Sequence, residues 1–245
     1  MSASGRSHRE TATLLGRQDS EIDDLDLDLD GDLELDDELD TGPQNDERAA
    51  STPNLHVVPD SEIDLAKAEH AVADLLDALG VDRTADGLAS TPKRVARAYG
   101  ELLTPRPFRA TTFANDEGYD ELVVARAIPF TSLCEHHLLP FTGLAHVGYL
   151  PDARLLGLSK LARVVDHFSR RLQVQERLTA QVANFIATTV QPKGVGVVLE
   201  AEHLCMSLRG VRSSGTRTVT SALKGLVRDD PRTRAEFLSL AGAQP

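Results

Sequence analysis

Two cysteines with histidine neighbours are the residues of this chain whose types and spacing could do chemistry. Cys134 stands in the run SLCEHHLLPF and Cys205 in the run EAEHLCMSL. Thiolate and imidazole are ligands that zinc prefers, so these two runs place several suitable donors within reach of one ion. The spacing alone does not decide which of His136, His137 and His203 would bind it.

Two other interpretations of the cysteines compete with a metal site. Free cysteine is among the most buried residue types and often only packs in a core. A disulfide between Cys134 and Cys205 is the second alternative, but the N-terminal run MSASGRSHRETATLLGR lacks the apolar segment of a secretory signal. We therefore expect a cytoplasmic protein, and a reducing compartment favours metal binding or catalysis over a structural disulfide.

The charge is unevenly divided along the chain. Residues 1–60 hold 17 acidic and 4 basic residues, a net charge of −13, while residues 61–245 hold 21 and 22, a net charge of +1. The central run EIDDLDLDLDGDLELDDELD is low in complexity, so we predict a disordered acidic tail over 1–59 and one domain over 60–245. No run approaches the roughly 20 apolar residues of a membrane span, and we expect neither a membrane nor a nucleic-acid partner.

The hydrophobic periodicity of residues 60–245 predicts an α+β domain. The two middle helices fall between two pairs of strands, which are most simply antiparallel hairpins with the helices on one face. The exposed sheet edges of such a domain predict oligomerisation. In the third strand, residues two apart share a face, so His203 and Cys205 are expected to project together. The predicted helices are 61–79, 92–103, 159–172, 176–190 and 231–241, and the predicted strands are 122–130, 144–151, 194–208 and 217–225.

Three long runs of the chain carry recognisable motifs, namely SLCEHHLLPFTGLAHVGYLP (132–151), GLSKLARVVDHFSRRLQVQERLT (157–179) and AEHLCMSLRGV (201–211). Together and in this order they closely resemble GTP cyclohydrolase type I, and the resemblance runs from about residue 60 to the C-terminus. It implies the tunnelling fold, in which an antiparallel four-stranded sheet carries two helices between its strand pairs. It also implies a helical part over 60–105, a catalytic part over 118–245 and a toroidal decamer. Shorter matching runs are TPKRVARAY (91–99), GTRTVTSALKG (215–225) and TRAEFL (233–238).

The resemblance further implies hydrolysis and rearrangement of GTP to formate and 7,8-dihydroneopterin triphosphate, the first step toward tetrahydrofolate or other pterins. One zinc ion per subunit would be held by Cys134, His137 and Cys205, with an activated water beside it. The histidine left free, His136, would exchange protons near N7 of guanine. His203 would assist later proton transfers on the ribose side.

For the substrate, the resemblance assigns the guanine to Glu176, with Gln175 beside it, because a carboxylate can accept from two guanine donors that adenine does not present. The triphosphate is assigned to a basic set, part of which would come from neighbouring subunits, namely Arg94 and Arg163. The remaining members of the predicted triphosphate set are Ser159, Lys160 and Arg209.

Two rival functions are a related enzyme of the same fold and a nucleotide-binding assembly protein without catalysis.

Overall fold

The computed structural model describes residues 63–242, so the predicted acidic tail lies outside the described residues. The helix expected from Ser61 begins at Leu65, because the Asp64 side chain accepts the backbone N–H of Lys67 at 2.9 Å and so caps the first turn. The second helix begins one residue before Pro92, which fits a first turn because it has no N–H to leave unpaired. The helices are α1 (Leu65–Ala78), α2 (Thr91–Leu103), α3 (Leu158–Ser169), α4 (Gln175–Val190), α5 (Leu204–Ser207), α6 (Leu226–Asp229) and α7 (Pro231–Ala241).

The four long strands form the antiparallel hairpins that the sequence predicts, with the third strand beside the second. The expectation of a four-stranded antiparallel sheet is nevertheless wrong. A two-residue strand pairs in parallel at one edge and makes the sheet five-stranded and mixed. The strands are β1 (Thr112–Ala114), β2 (Val123–Cys134), β3 (Pro140–Leu150), β4 (Arg154–Leu156), β5 (Leu172–Gln173), β6 (Gly194–His203) and β7 (Arg217–Gly225). The order in the sheet is β5-β2-β3-β6-β7, and β1 and β4 form a separate pair.

The main core lies between one face of the five-stranded sheet and the helices α3 and α4. This core contains the fully buried side chains of Val197 and Leu199 from β6 and of Ile186 from α4. Removing such apolar surface from water is the main stabilising term of the fold. This packing fixes the α4 N-terminus beside the ends of β2 and β6, where the two cysteine motifs lie.

The other face of the sheet is partly covered as well, which corrects the expectation of helices on one face only. A second buried cluster joins Val198 of β6 to Val227 of α6 and Phe237 of α7. Covering β6 from both sides explains why the run GVGVVL is continuously apolar instead of alternating. Beyond it, Glu200 and Glu202 are only partly buried.

The close contact between β6 and α7 depends on glycine at position 196, which has no Cβ. A Cβ added there would lie 2.5 Å from the Phe237 ring, which is fully buried. We therefore expect Gly196→Ala to lower the free energy of unfolding by about 1–3 kcal/mol through overpacking, measured by urea denaturation. Gly100→Ala is the control, because its Cβ would meet only the half-exposed Leu65 side chain, at 3.1 Å, and a helical alanine is favoured over glycine. Unchanged stability of Gly196→Ala would contradict this packing.

Among residues 63–242, none of the helices has the length and apolar character needed to cross a bilayer.

Candidate metal centre

The first cysteine motif forms a tight loop at the end of β2. The backbone closes on Cys134, whose N–H donates to the Leu139 carbonyl at 2.9 Å and whose carbonyl accepts from the N–H of Leu138 at 2.9 Å. Leu138 adopts a φ of 56°, a left-handed conformation that is uncommon for a residue with a branched side chain. We call residues 134–139 the 134–139 loop; it presents His136 and His137 from an exposed turn.

The second cysteine does not lie on a strand, so the predicted projection of His203 and Cys205 from one strand face is wrong. Strand β6 ends at His203, and Cys205 lies in the one-turn helix α5 that follows. The side-chain alternation of the strand does not extend to Cys205 because the backbone after His203 is helical. In that turn the Leu208 N–H donates to the Leu204 carbonyl at 3.0 Å. The turn, and not the strand pleat, brings the thiol of Cys205 to the 134–139 loop.

The structure groups three of the candidate donors. Three ligand atoms lie within 4.8 Å of one another: the sulfur of Cys134, one ring nitrogen of His137 and the sulfur of Cys205. The two cysteines are buried, and His137 is exposed. The Cys134 Sγ to His137 Nδ1 distance is 3.6 Å. Two tetrahedral zinc ligands with bonds of about 2.3 and 2.05 Å stand about 3.6 Å apart. The donor types and their spacing therefore fit a zinc ion.

The electrostatics of the two thiols also fit a cation. Burial raises the pKa of Cys205, and the nearby Cys134 raises it further because two adjacent thiolates repel each other. Arg209, whose guanidinium donates to the Cys205 carbonyl at 3.2 Å, acts in the opposite direction. A divalent cation between the sulfurs would favour both thiolates, as metal binding to cysteine requires.

His136 stands apart from this group. Its side chain is 64% exposed, and its Nε2 lies 3.9 Å from a carboxylate oxygen of Glu135. Its Nδ1 lies 3.9 Å from the Cys134 sulfur, a longer distance than that of His137. The structure therefore leaves the His136 imidazole beside the centre and accessible to a substrate.

His203 is held by two neighbours at the end of β6. Its ring stacks on Phe141, with centroids 4.6 Å apart and planes 4° from parallel, and its Nε2 lies 2.8 Å from the Gln175 amide oxygen. Because that oxygen can only accept, Nε2 carries the proton and Nδ1 is the free acceptor of the neutral ring. Burial lowers the pKa of His203, while the Glu176 carboxylate acts against that shift.

Gln175, at the start of α4, is hydrogen-bonded to both β6 and β7. Its side chain is buried, and its amide nitrogen donates to the carbonyls of Leu199 and Thr218 at 3.1 and 2.9 Å. With its oxygen on His203, this amide is fully engaged with protein groups. The structure thus places Gln175 against His203 and next to Glu176, and its contact with guanine stays a prediction.

The remaining predicted substrate residues lie in the first two turns of three helices. Glu176 is exposed in the first turn of α4, and Ser159, Lys160 and Arg163 lie in the first two turns of α3. Arg94 on α2 donates to the Gly87 carbonyl at 2.7 Å. Within residues 63–242, no hydrogen bond joins Arg94 or Arg163 to the cysteine cluster of this chain.

Three residues that shape the site were not predicted from the sequence. Phe141 faces His203 directly in the β3–β6 register, and it could have been found by pairing the two motif strands. Glu135 and Arg177 form an ion pair between the 134–139 loop and α4. They are 42 positions apart, and no local pattern indicates that they meet.

The match of this chain to known proteins decides its family. The family model described as GTP cyclohydrolase I matches residues 68–242. The chain belongs to the GTP cyclohydrolase I family. It is 51% identical over 187 residues to "GTP cyclohydrolase 1" of Rhodopirellula baltica, covering 74% of this chain and 81% of that protein. The protein of the same name from Aquifex aeolicus is 52% identical over 178 residues, covering 73% of this chain and 97% of that protein.

Family membership confirms the resemblance found in the sequence and the prediction that the chain is an enzyme of this family. A third relative, "GTP cyclohydrolase 1" of Mycobacteroides abscessus, is 53% identical over 184 residues, covering 72% of this chain and 89% of that protein. Both cysteine motifs and the start of α4 lie inside the matched residues 68–242. The acidic run of residues 21–40 lies outside them.

Proposed function

We propose that this chain hydrolyses and rearranges GTP to 7,8-dihydroneopterin triphosphate and formate, the first step toward tetrahydrofolate or another pterin. The observation that carries the proposal is the convergence of Cys134, His137 and Cys205 with two further histidines beside them. The family match supports the substrate and the reaction class.

In this proposal one zinc ion per subunit is held by Cys134, His137 and Cys205. Three protein ligands are typical of catalytic zinc, whereas structural sites close all four positions. Bound there, zinc would lower the pKa of a water molecule to about 7 and so supply hydroxide at neutral pH. The buried sulfurs and the exposed His137 leave the solvent side of the site open to substrate.

The two other histidines are proposed to move protons on the substrate. His136 is exposed next to the ligand residues and is suited to protonate N7 of guanine, because imidazole can both donate and accept a proton. His203 presents its free Nδ1 while Gln175 holds Nε2–H. That arrangement suits His203 to accept a proton from the ribose side during ring opening and sugar rearrangement.

The guanine is proposed to bind Glu176 at the α4 N-terminus. Its carboxylate is exposed and close enough to His203 to influence the pKa of that ring. A carboxylate that accepts from N1–H and the exocyclic amine makes a planar two-point contact with guanine. ATP lacks this donor pair, so we expect the site to reject it.

The triphosphate is proposed to bind Ser159, Lys160, Arg163, Arg209 and Arg94. A helix N-terminus and arginine side chains both suit phosphate oxygens, and α3 begins beside Ser159. As the family match suggests, we propose that neighbouring subunits supply Arg94 and Arg163. The assembly is proposed to be a toroidal decamer of the tunnelling fold, located in the cytoplasm.

The test is to incubate purified, metal-analysed protein with GTP and to measure formate and fluorescent oxidised pterin together. We expect equal amounts of the two products from GTP and neither from ATP. Formate without pterin would contradict the rearrangement step. The absence of both products from a zinc-loaded, assembled protein would favour the nucleotide-binding alternative.

A further inference from the structure

A partly exposed ion pair joins the 134–139 loop to α4. The guanidinium of Arg177 donates through a terminal nitrogen to a carboxylate oxygen of Glu135, and its Nε donates to the Gln173 amide oxygen at 3.0 Å. The side chains of Arg177 and Glu135 are 43% and 33% exposed. Exposed ion pairs contribute little to stability, so the position of this pair calls for another explanation.

The pair rests on an anchored residue. Gln173 is completely buried, and its amide nitrogen donates to the Phe168 carbonyl at 2.9 Å and to the Gln181 amide oxygen at 2.7 Å. Its backbone carbonyl accepts the N–H of Glu135 at 3.0 Å. Glu135 is therefore held twice against the same segment, once by its backbone and once through Arg177.

The two partners are adjacent in sequence to residues of the proposed site. Glu135 lies between Cys134 and His136, and Arg177 directly follows Glu176. The planar guanidinium fixes the direction of its hydrogen bonds, which a flexible ammonium does not do. The pair thus sets the distance between the exposed turn of the 134–139 loop and the start of α4.

We propose that Arg177 is a positioning residue: through Glu135 it holds His136 and His137 in a fixed place relative to Glu176. This inference rests on the proposed function, in which those groups bind zinc and guanine. Reactions that depend on several oriented groups lose rate steeply when one of them is displaced, even without loss of binding.

The test is Arg177→Met, which retains much of the side-chain bulk and removes every donor. We expect zinc affinity, measured by competition with a chromophoric chelator, to fall about 10-fold, the low end of the loss when the support of metal ligands is disturbed, because the loop that Arg177 holds through Glu135 carries Cys134 and His137. We expect kcat with GTP to fall by at least about 10-fold while KM changes less than about 3-fold, because the proposed substrate contacts remain. Arg177→Lys should recover part of both losses.

Arg170→Met is the matched control. Arg170 also donates its Nε to a carboxylate, that of Asp166 at 2.8 Å, and a terminal nitrogen to the Glu101 carbonyl at 2.9 Å, but neither contact involves the 134–139 loop. Equal losses in Arg170→Met, or wild-type zinc affinity in Arg177→Met, would overturn the proposal. If Arg177→Met does not fold, Glu135→Gln replaces it with the same expected losses.

The chelator experiment uses no GTP, so it is independent of the proposed reaction. Failure of the proposed function would appear as wild-type protein that releases no formate. Failure of the positioning role would appear as an Arg177→Met protein that binds zinc as the wild type does.

Discussion

Replacement of either cysteine by alanine is expected to remove zinc from the protein and to abolish turnover. Cys134 and Cys205 each supply one of the three grouped donors. Loss of an outer partner of a metal ligand already costs about 10–100-fold in affinity, so loss of a ligand should cost more. Metal analysis of the purified variants and formate release from GTP measure the two effects.

Serine at the same positions separates the ligand role from packing. Both thiols are buried, and alanine would also leave a small cavity, whereas serine nearly retains the volume and is a poor zinc ligand. We expect Cys205→Ser to lose zinc as Cys205→Ala does. Val198→Ala, a cavity variant in the cluster on the opposite face of the sheet, should keep its metal. Stoichiometric zinc in both alanine variants of the cysteines would refute the ligand assignment.

Replacement of His136 by alanine is expected to retain zinc and to lower kcat by about 10²–10⁴-fold, the range for loss of a general acid–base group. The imidazole is exposed and is not one of the grouped donors, so its removal neither empties the metal centre nor opens the core. Metal content, kcat and KM measured on one preparation test this separation.

His70→Ala is the control for His136→Ala. His70 is also an exposed histidine, on α1, where its ring nitrogen contacts the Ala66 carbonyl at 2.7 Å. Its removal should leave kcat and metal content unchanged. Full activity in His136→Ala would eliminate the acid–base role, and loss of zinc in that variant would assign His136 to the ligands.

The long elements were predictable because each carries a strong local pattern. The apolar stripe of α4 predicted its start within one residue of Gln175, and the run RTVTSALKG predicted β7 with both ends correct. The short elements were not predictable, because a two-residue strand such as Leu172–Gln173 has no periodicity of its own. It forms because Leu133 and Cys134 offer it an unpaired edge.

The sequence predicted which three donors come together, and it did not predict the geometry around them. The motifs indicated Cys134, His137 and Cys205 as metal ligands. The strand predicted to contain Cys205, however, ends at His203, and Cys205 lies in the helical turn that follows. The partners that orient the site come from distant segments. Gln175 reaches His203 across 28 positions, and Arg177 reaches Glu135 across 42. Such contacts follow from the packing of α4 on the sheet, which no local pattern specifies.

The most direct test of a three-ligand open zinc centre is X-ray absorption at the zinc edge of the wild-type protein. The account predicts two sulfur neighbours at about 2.3 Å and two nitrogen or oxygen neighbours at about 2.0–2.1 Å. These would be the thiolates of Cys134 and Cys205, the imidazole of His137 and one water. A shell with fewer than two sulfurs, or one with two imidazoles and no water, would contradict it.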